Sequence, residues 1–100
     1  MAIDLRGHGQ SVVASGSALN FATFTDDDWA KVGLDLQAAL KFLGDQKISP
    51  TQISLVGASI GANQALVTAA QNQLVRSVVL LSPAESYHGL KAFPVAKQYQ

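Results

Sequence analysis

The five residues Gly57-Ala58-Ser59-Ile60-Gly61 constrain the fold more than any other part of the chain. They follow an apolar run at 52–56 and precede a small, uncharged run at 62–70. In that context the pattern G-x-S-x-G is typical of a sharp strand-turn-helix bend, which strains the serine backbone and lifts its hydroxyl clear of the sheet. Glycine is expected at both outer positions because the two backbones pass too closely there for a Cβ. Ser59 is therefore a candidate nucleophile, although a small residue in a nucleotide-binding turn is the competing interpretation.

The composition predicts a single, incomplete domain spanning residues 1–100. Hydrophobic residues make up 48% of the chain and charged residues 14%, against about 25% charged in an average soluble domain. Such low charge in so short a chain favours the middle of a larger α/β protein, in which helices cover both faces of a sheet. Seven basic residues balance seven acidic ones, so we expect no nucleic-acid partner. The lack of cysteine excludes disulfides and thiolate metal sites.

The termini and the hydropathy pattern bear on location. Residues after Met1 form neither a basic n-region nor an apolar h-region, which slightly favours a cytoplasmic location, although the true N-terminus could lie upstream. The charge-free stretch 48–75 contains Pro50, two glycines and several amides. It falls short of the ~20 predominantly apolar residues of a membrane-spanning helix, so we predict no membrane span.

The first half of the chain predicts a strand, a loop and one long helix. Residues 2–5 form a short apolar piece, and residues 10–20 are small and polar, as in a loop. Thr25 is the expected N-cap, with three aspartates in the first turn and Gly44 as the stop. A helical stripe of apolar residues lies between them: Trp29, Val32, Leu36, Leu40 and Leu43.

The second half predicts a strand at 52–56, a helix after Ser59 to about Ala70, and a strand at 75–81. The run Val78-Val79-Leu80-Leu81 is typical of a strand buried on both faces. The helix would pack through its small side chains, which are Ala62, Ala65, Leu66, Ala69 and Ala70. The order β-loop-α-β-α-β predicts an α/β fold with parallel strands joined by right-handed crossovers.

Two segments together resemble the α/β-hydrolase family. Asp4-Leu5-Arg6-Gly7-His8-Gly9-Gln10-Ser11 is similar to that family's D-x-R-G-H-G-x-S loop after its fourth strand. Gly57-Ala58-Ser59-Ile60-Gly61 is similar to its nucleophile elbow after the fifth strand, and one capped helix separates the two. The resemblance runs from Ala2 to about Leu90 and covers only the central part of a family member. It implies a partial α/β-hydrolase fold with flanking helices.

The resemblance also implies roles. Ser59 matches the nucleophile, and the backbone N–H of Ile60 matches one oxyanion donor. The family's second donor would precede Met1, and its acid and histidine would follow Gln100. Its sheet order would leave a gap between the strand at 2–5 and the strand at 52–56. The implied activity is carboxylesterase-like serine hydrolysis of a small-molecule ester or acyl substrate without a cofactor, with the isolated chain inactive; its oligomeric state is open.

Other residues receive structural interpretations. His8 is expected to fix the loop after the first strand, and Trp29 to lie in the core. The aspartates at 26–28 are explained by capping, so no metal is assigned. Glu85 and His88 are weak candidates for a triad acid and base, and an exposed loop is favoured for them.

Two non-hydrolase alternatives stay open. The first is a dinucleotide-binding βαβ module that uses Gly57 and Gly61, but G-x-G-x-x-G is absent. Arg76 and Ser77 also stand where an acidic residue is expected. The second is a family member that has lost catalysis and serves as an interaction domain.

Overall fold

The computed structural model describes residues 1–14, 16–84, 86, 87, 90, 91, 96 and 97. Its centre is a β-α-β unit of strand β3, helix α3 and strand β4. β3 spans Ser54–Ala58, α3 spans Ile60–Gln71, and β4 spans Ser77–Leu81. β3 and β4 pair in parallel, with Ser54 opposite Ser77 and Ala58 opposite Leu81. The prediction of an α/β fold with parallel strands and flanking helices is confirmed.

Helix α3 is buried nearly all round, which explains its small, uncharged sequence. Ala62, Ala65, Leu66 and Ala69 are buried as predicted, whereas Ala70 is only half-buried. The helix covers one face of the β3–β4 pair and also packs against a second helix, α2 (Gly33–Asp45). Small side chains let three backbones approach α3 at once.

The opposite face of the sheet has no cover within the described residues. Side chains alternate along both strands, so Leu55 and Val78 are half-buried while Val56 and Val79 are 66% and 47% exposed. The prediction that 78–81 is buried on both faces is wrong for this chain. β3 begins at Ser54 rather than 52, since Pro50–Gln52 forms a 3-10 turn. β4 begins at Ser77 rather than 75.

The predicted long helix is two helices, α1 (Asp26–Ala30) and α2, separated by a turn at Lys31 and Val32. The Trp29 carbonyl accepts from the Val32 N–H at 3.2 Å and from the buried side-chain amide of Gln64 at 3.3 Å. An inserted side chain that takes a backbone carbonyl interrupts the i to i−4 ladder. Trp29 and Val32 are core residues, at 4% and 0% exposure.

The start of α1 is capped as predicted. Thr25 accepts from the Asp28 N–H, and the Asp28 carboxylate accepts from the Thr25 N–H at 2.9 Å, which completes a capping box. That backbone hydrogen bond holds the pKa of Asp28 below its ordinary value. Asp28 therefore has a capping role, and Asp26 and Asp27 lie in the same first turn, where the helix dipole favours negative charge.

The end of α2 differs from the prediction that Gly44 stops it. The helix continues through Gly44 to Asp45, and Lys47 adopts the left-handed conformation with φ 68°. The Lys47 N–H donates to Gly44 and the Ile48 N–H donates to Leu43, which is the Schellman pattern. The helix therefore ends through the Schellman hydrogen bonds around Lys47, three residues after Gly44.

The N-terminal region is loop and hairpin rather than strand. Residues 2–5 have no regular structure, because none of the described strands pairs with them. Within the predicted loop, β1 (Val13–Ala14) and β2 (Ser17–Ala18) form a short antiparallel pair. A 3-10 turn at Phe21–Thr23 then leads into α1. Near the other end of the chain, β5 (Ser86–Tyr87) and β6 (Leu90–Lys91) form a second short antiparallel pair.

Candidate active site

Ser59 occupies a single-residue bend between β3 and α3. Its φ is 53° and its ψ is −121°, a region that L-residues rarely adopt and that costs roughly 1–3 kcal/mol. The residue is exposed, and its side chain makes no cap hydrogen bond to α3. Its N–H donates to the Leu81 carbonyl at 2.9 Å, and its carbonyl accepts from the Ala62 N–H at 3.0 Å. The backbone is thus fixed on both sides while the side chain stays accessible.

The two glycines flanking Ser59 have different roles. A Cβ on Gly57 would overlap the carbonyl group of Gly61 and lie 2.7 Å from the Ala62 nitrogen. A Cβ on Gly61 would meet no atom within 4 Å in the described residues. The close approach predicted for both positions is therefore present only at Gly57, because the bend carries the helix back over the strand at that residue alone.

The backbone N–H of Ile60 lies at the N-terminus of α3. The first amides of a helix have no intrahelical acceptor, and within the described residues the Ile60 N–H has none elsewhere. The helix dipole adds partial positive charge at this end. An anion beside the Ser59 hydroxyl would therefore meet one hydrogen-bond donor in a favourable field.

The segment from Asp4 to Ser11 folds into a loop held by its own residues. The Asp4 carboxylate accepts from the Gln10 N–H, and the Asp4 carbonyl accepts from the Ser11 hydroxyl. Arg6 anchors this loop to α2 through its guanidinium, which donates to Asp35 at 2.8 and 3.0 Å. This set of contacts explains why the motif combines an acid, an arginine and a serine.

His8 belongs to this loop. Its Nδ1 lies 3.0 Å from the Arg6 carbonyl, and its ring stacks on Phe21 with centroids 4.4 Å apart. The ring also lies 5.8 Å from that of Trp29. These contacts agree with the structural role expected for His8.

A largely apolar cleft of about 530 Å³ lies between residues 1–5, α2 and β3. It lies where the gap was expected, and its end reaches Gly57, Ala58 and Gly61 beside the bend. Successive backbone N–H groups of a strand point to opposite edges of the sheet. The β3 N–H groups that do not donate to β4 therefore point toward the cleft. Within the described residues, the cleft therefore runs along an unpaired edge of β3 next to Ser59.

Sequence reasoning missed the buried polar side chains of α3. Asn63, Gln64 and Thr68 are at most 1% exposed. Asn63 donates to the Ala84 carbonyl at 3.0 Å and accepts from the Ala84 N–H at 3.1 Å. A signal was present, because amides in an uncharged helix that is buried all round need partners.

The comparisons with known proteins agree with this arrangement. A family model described as the alpha/beta hydrolase fold matches residues 1–99. The chain belongs to the alpha/beta hydrolase fold family. No curated protein and no solved structure matches it.

Two further properties of this alpha/beta hydrolase-fold chain concern membranes and metals. Among the described residues, no helix has the length and hydropathy needed to cross a bilayer. The same part of the chain holds no cluster of three or more histidine, cysteine or acidic side chains placed to bind a metal. Glu85 and His88, the weak candidates for a triad acid and base, lie outside the described residues.

Proposed function

We propose that this chain carries the nucleophile of a serine hydrolase that cleaves ester or acyl bonds in small molecules. Family membership supports a hydrolase-type protein. The observation that carries the finer proposal is Ser59, exposed at φ 53° directly before α3 and at the carboxyl end of β3. A strained serine at this position presents its hydroxyl to substrate rather than to the core.

In the proposed reaction, the Ser59 Oγ attacks the carbonyl carbon of the substrate. The Ile60 N–H donates to the oxygen on which negative charge develops, at the positive end of α3. The acyl–Ser59 bond forms as the leaving alkoxide departs with a proton, and water then releases the acid.

The proton transfers require a base that residues 1–100 do not provide in this proposal. A serine hydroxyl is a weak nucleophile until an oriented histidine accepts its proton. Loss of the nucleophile or the histidine from a working triad lowers kcat about 10⁶-fold. We therefore propose that residues 1–100 are one part of a domain, inactive alone, and that the acid, the histidine and a second oxyanion donor lie outside them.

A fluorophosphonate probe on the full-length gene product tests this proposal. We expect covalent labelling of the wild type and of Ser54→Ala, an exposed serine on the same strand, and none of Ser59→Ala. Equal labelling of the wild type and Ser59→Ala, or no labelling of the wild type, would refute the proposed role of Ser59. In parallel, the 100-residue chain should hydrolyse p-nitrophenyl acetate no faster than buffer does.

A further inference from the structure

Asn63 joins the bend at Ser59 to the segment that follows the neighbouring strand. Its backbone N–H donates to the Ser59 carbonyl at 3.3 Å. Its side-chain amide, fully buried, makes two hydrogen bonds with the backbone of Ala84, 21 residues away. One residue therefore contacts both chain segments that leave the carboxyl edge of the sheet.

The segment held by Asn63 lies beside Ser59. Ala58 is opposite Leu81 in the β3–β4 register, so the next residues, Ser59 and Ser82, are neighbours at the end of the sheet. Ser82 also has a positive φ, at 51°, directly before Pro83. A non-glycine residue keeps such a conformation only where its surroundings impose it.

The two Asn63–Ala84 hydrogen bonds fix the backbone two residues after Ser82. They pair the N–H and the carbonyl of Ala84 with the oxygen and the nitrogen of one side-chain amide, away from competing water. Without them, the Ala84 N–H and carbonyl would need new partners, and the segment from Ser82 to Ala84 could move away from the bend. A displacement of about 1 Å beside a reacting group can cost about 10²-fold in rate.

We propose that Asn63 is a positioning residue, which holds Ser82–Pro83–Ala84 as a fixed wall beside Ser59, where substrate would bind. This assignment rests on the proposed function. Asn63 does not touch the reacting atoms; it acts through the wall that orients the substrate.

The test compares Asn63→Leu with Gln64→Leu in the full-length gene product. Gln64 is the adjacent buried amide of α3, but it donates to the Trp29 carbonyl of α1 and not to the segment beside Ser59. Two measurements are made on each variant. The first is the second-order rate constant of fluorophosphonate labelling at Ser59, and the second is hydrogen exchange of the Ala84 amide. Circular dichroism establishes that both variants are folded.

We expect Asn63→Leu to label at least about tenfold more slowly and to lose protection at Ala84, while Gln64→Leu stays within about twofold of wild type in both measurements. If Asn63→Leu does not fold, Asn63→Asp replaces it; it keeps the acceptor for the Ala84 N–H, and its labelling rate should also fall.

Three results would overturn the assignment. Unchanged exchange at Ala84 would show that Asn63 does not hold the wall. Lost protection with an unchanged labelling rate would show that the wall does not affect Ser59. A wild type that is never labelled would refute the proposed function and this assignment together, whereas the first two results refute the assignment alone.

Discussion

Ser59 combines an unfavourable backbone with an accessible side chain. The strain at φ 53° and ψ −121° is maintained by hydrogen bonds at its N–H and its carbonyl, one to β4 and one from α3. Residues held in this way are concentrated at functional sites, where the surrounding structure imposes the conformation. Here the surroundings are the parallel strand pair and the first turn of α3, so the bend is a property of the whole β-α-β unit.

Alanine substitutions at the two glycines beside Ser59 should have opposite effects. Gly57→Ala should lower the free energy of unfolding by about 1–3 kcal/mol or more, because its Cβ would overlap the Gly61 carbonyl. Gly61→Ala should be neutral or stabilise by up to about 1 kcal/mol, since its Cβ meets nothing and alanine favours the helix. Urea denaturation measures both, and equal losses would contradict this interpretation.

The sequence pattern predicted the bend, but it could not show that the backbones approach closely at only one of its two glycines. A G-x-S-x-G spacing between an apolar run and a small-residue run fixes where strand becomes helix, and Ser59 lies there. The angle at which α3 leaves the strand decides at which glycine a Cβ would clash with the backbone. Local residue types do not encode that angle, and the partner of Asn63 lies 21 residues away, beyond the reach of any local pattern.

At the scale of elements, the first predicted helix differs from the structure in two places, its break after Ala30 and its end. Hydrogen bonds that the local sequence does not reveal explain both differences. The apolar stripe located Trp29 and Val32 in the core correctly. The break after Ala30 depends on Gln64, whose amide reaches the Trp29 carbonyl from another helix. The end of α2 depends on the Schellman hydrogen bonds around Lys47. Sequence rules expect glycine or asparagine, not lysine, at such a left-handed position.

Replacing Lys47 with glycine should therefore stabilise the protein. Lys47→Gly removes a left-handed penalty of about 1–2 kcal/mol at the expense of some unfolded-state entropy, so we expect the free energy of unfolding to rise by about 1 kcal/mol. Lys47→Ala, which keeps the Cβ, is the matched control and should change it little. Thermal and urea denaturation would measure these differences.

Gly44→Ala tests the alternative that Gly44 ends the helix. Gly44 lies inside α2 with open space around its missing Cβ. Alanine there should stabilise by up to about 1 kcal/mol, as in any helix interior. A loss of stability in Gly44→Ala, together with no gain in Lys47→Gly, would restore Gly44 as the stop.

Over the described residues, the molecule is a slab with one helical layer on a sheet. Its extent along the shortest axis is 19 Å, against 36 and 33 Å along the others. A sheet and a layer of helices pack about 10 Å apart, so this thickness accommodates two layers. Purely parallel sheets are normally covered on both faces, which is why the apolar run at 78–81 predicted a strand buried on both sides. The α/β fold is confirmed, whereas the burial of β4 on both faces is wrong. That the chain belongs to a larger domain stays a prediction.

The uncovered sheet face should make the 100-residue chain self-associate. Val56, Val79 and Leu81 are 66%, 47% and 53% exposed on adjacent strands, and apolar surface clustered in this way associates in water. The double variant Val56→Thr/Val79→Thr keeps side-chain shape and β propensity while it adds two hydroxyls on this face. Sedimentation velocity over a concentration series should show more monomer for the variant than for wild type.

Leu74→Thr, which changes an exposed apolar residue (68%) away from the sheet, should behave like wild type. A wild type that stays monomeric at every concentration would mean that this face does not drive association. An equal shift in Leu74→Thr would mean that association follows exposed apolar area in general rather than the sheet face that the described residues leave uncovered.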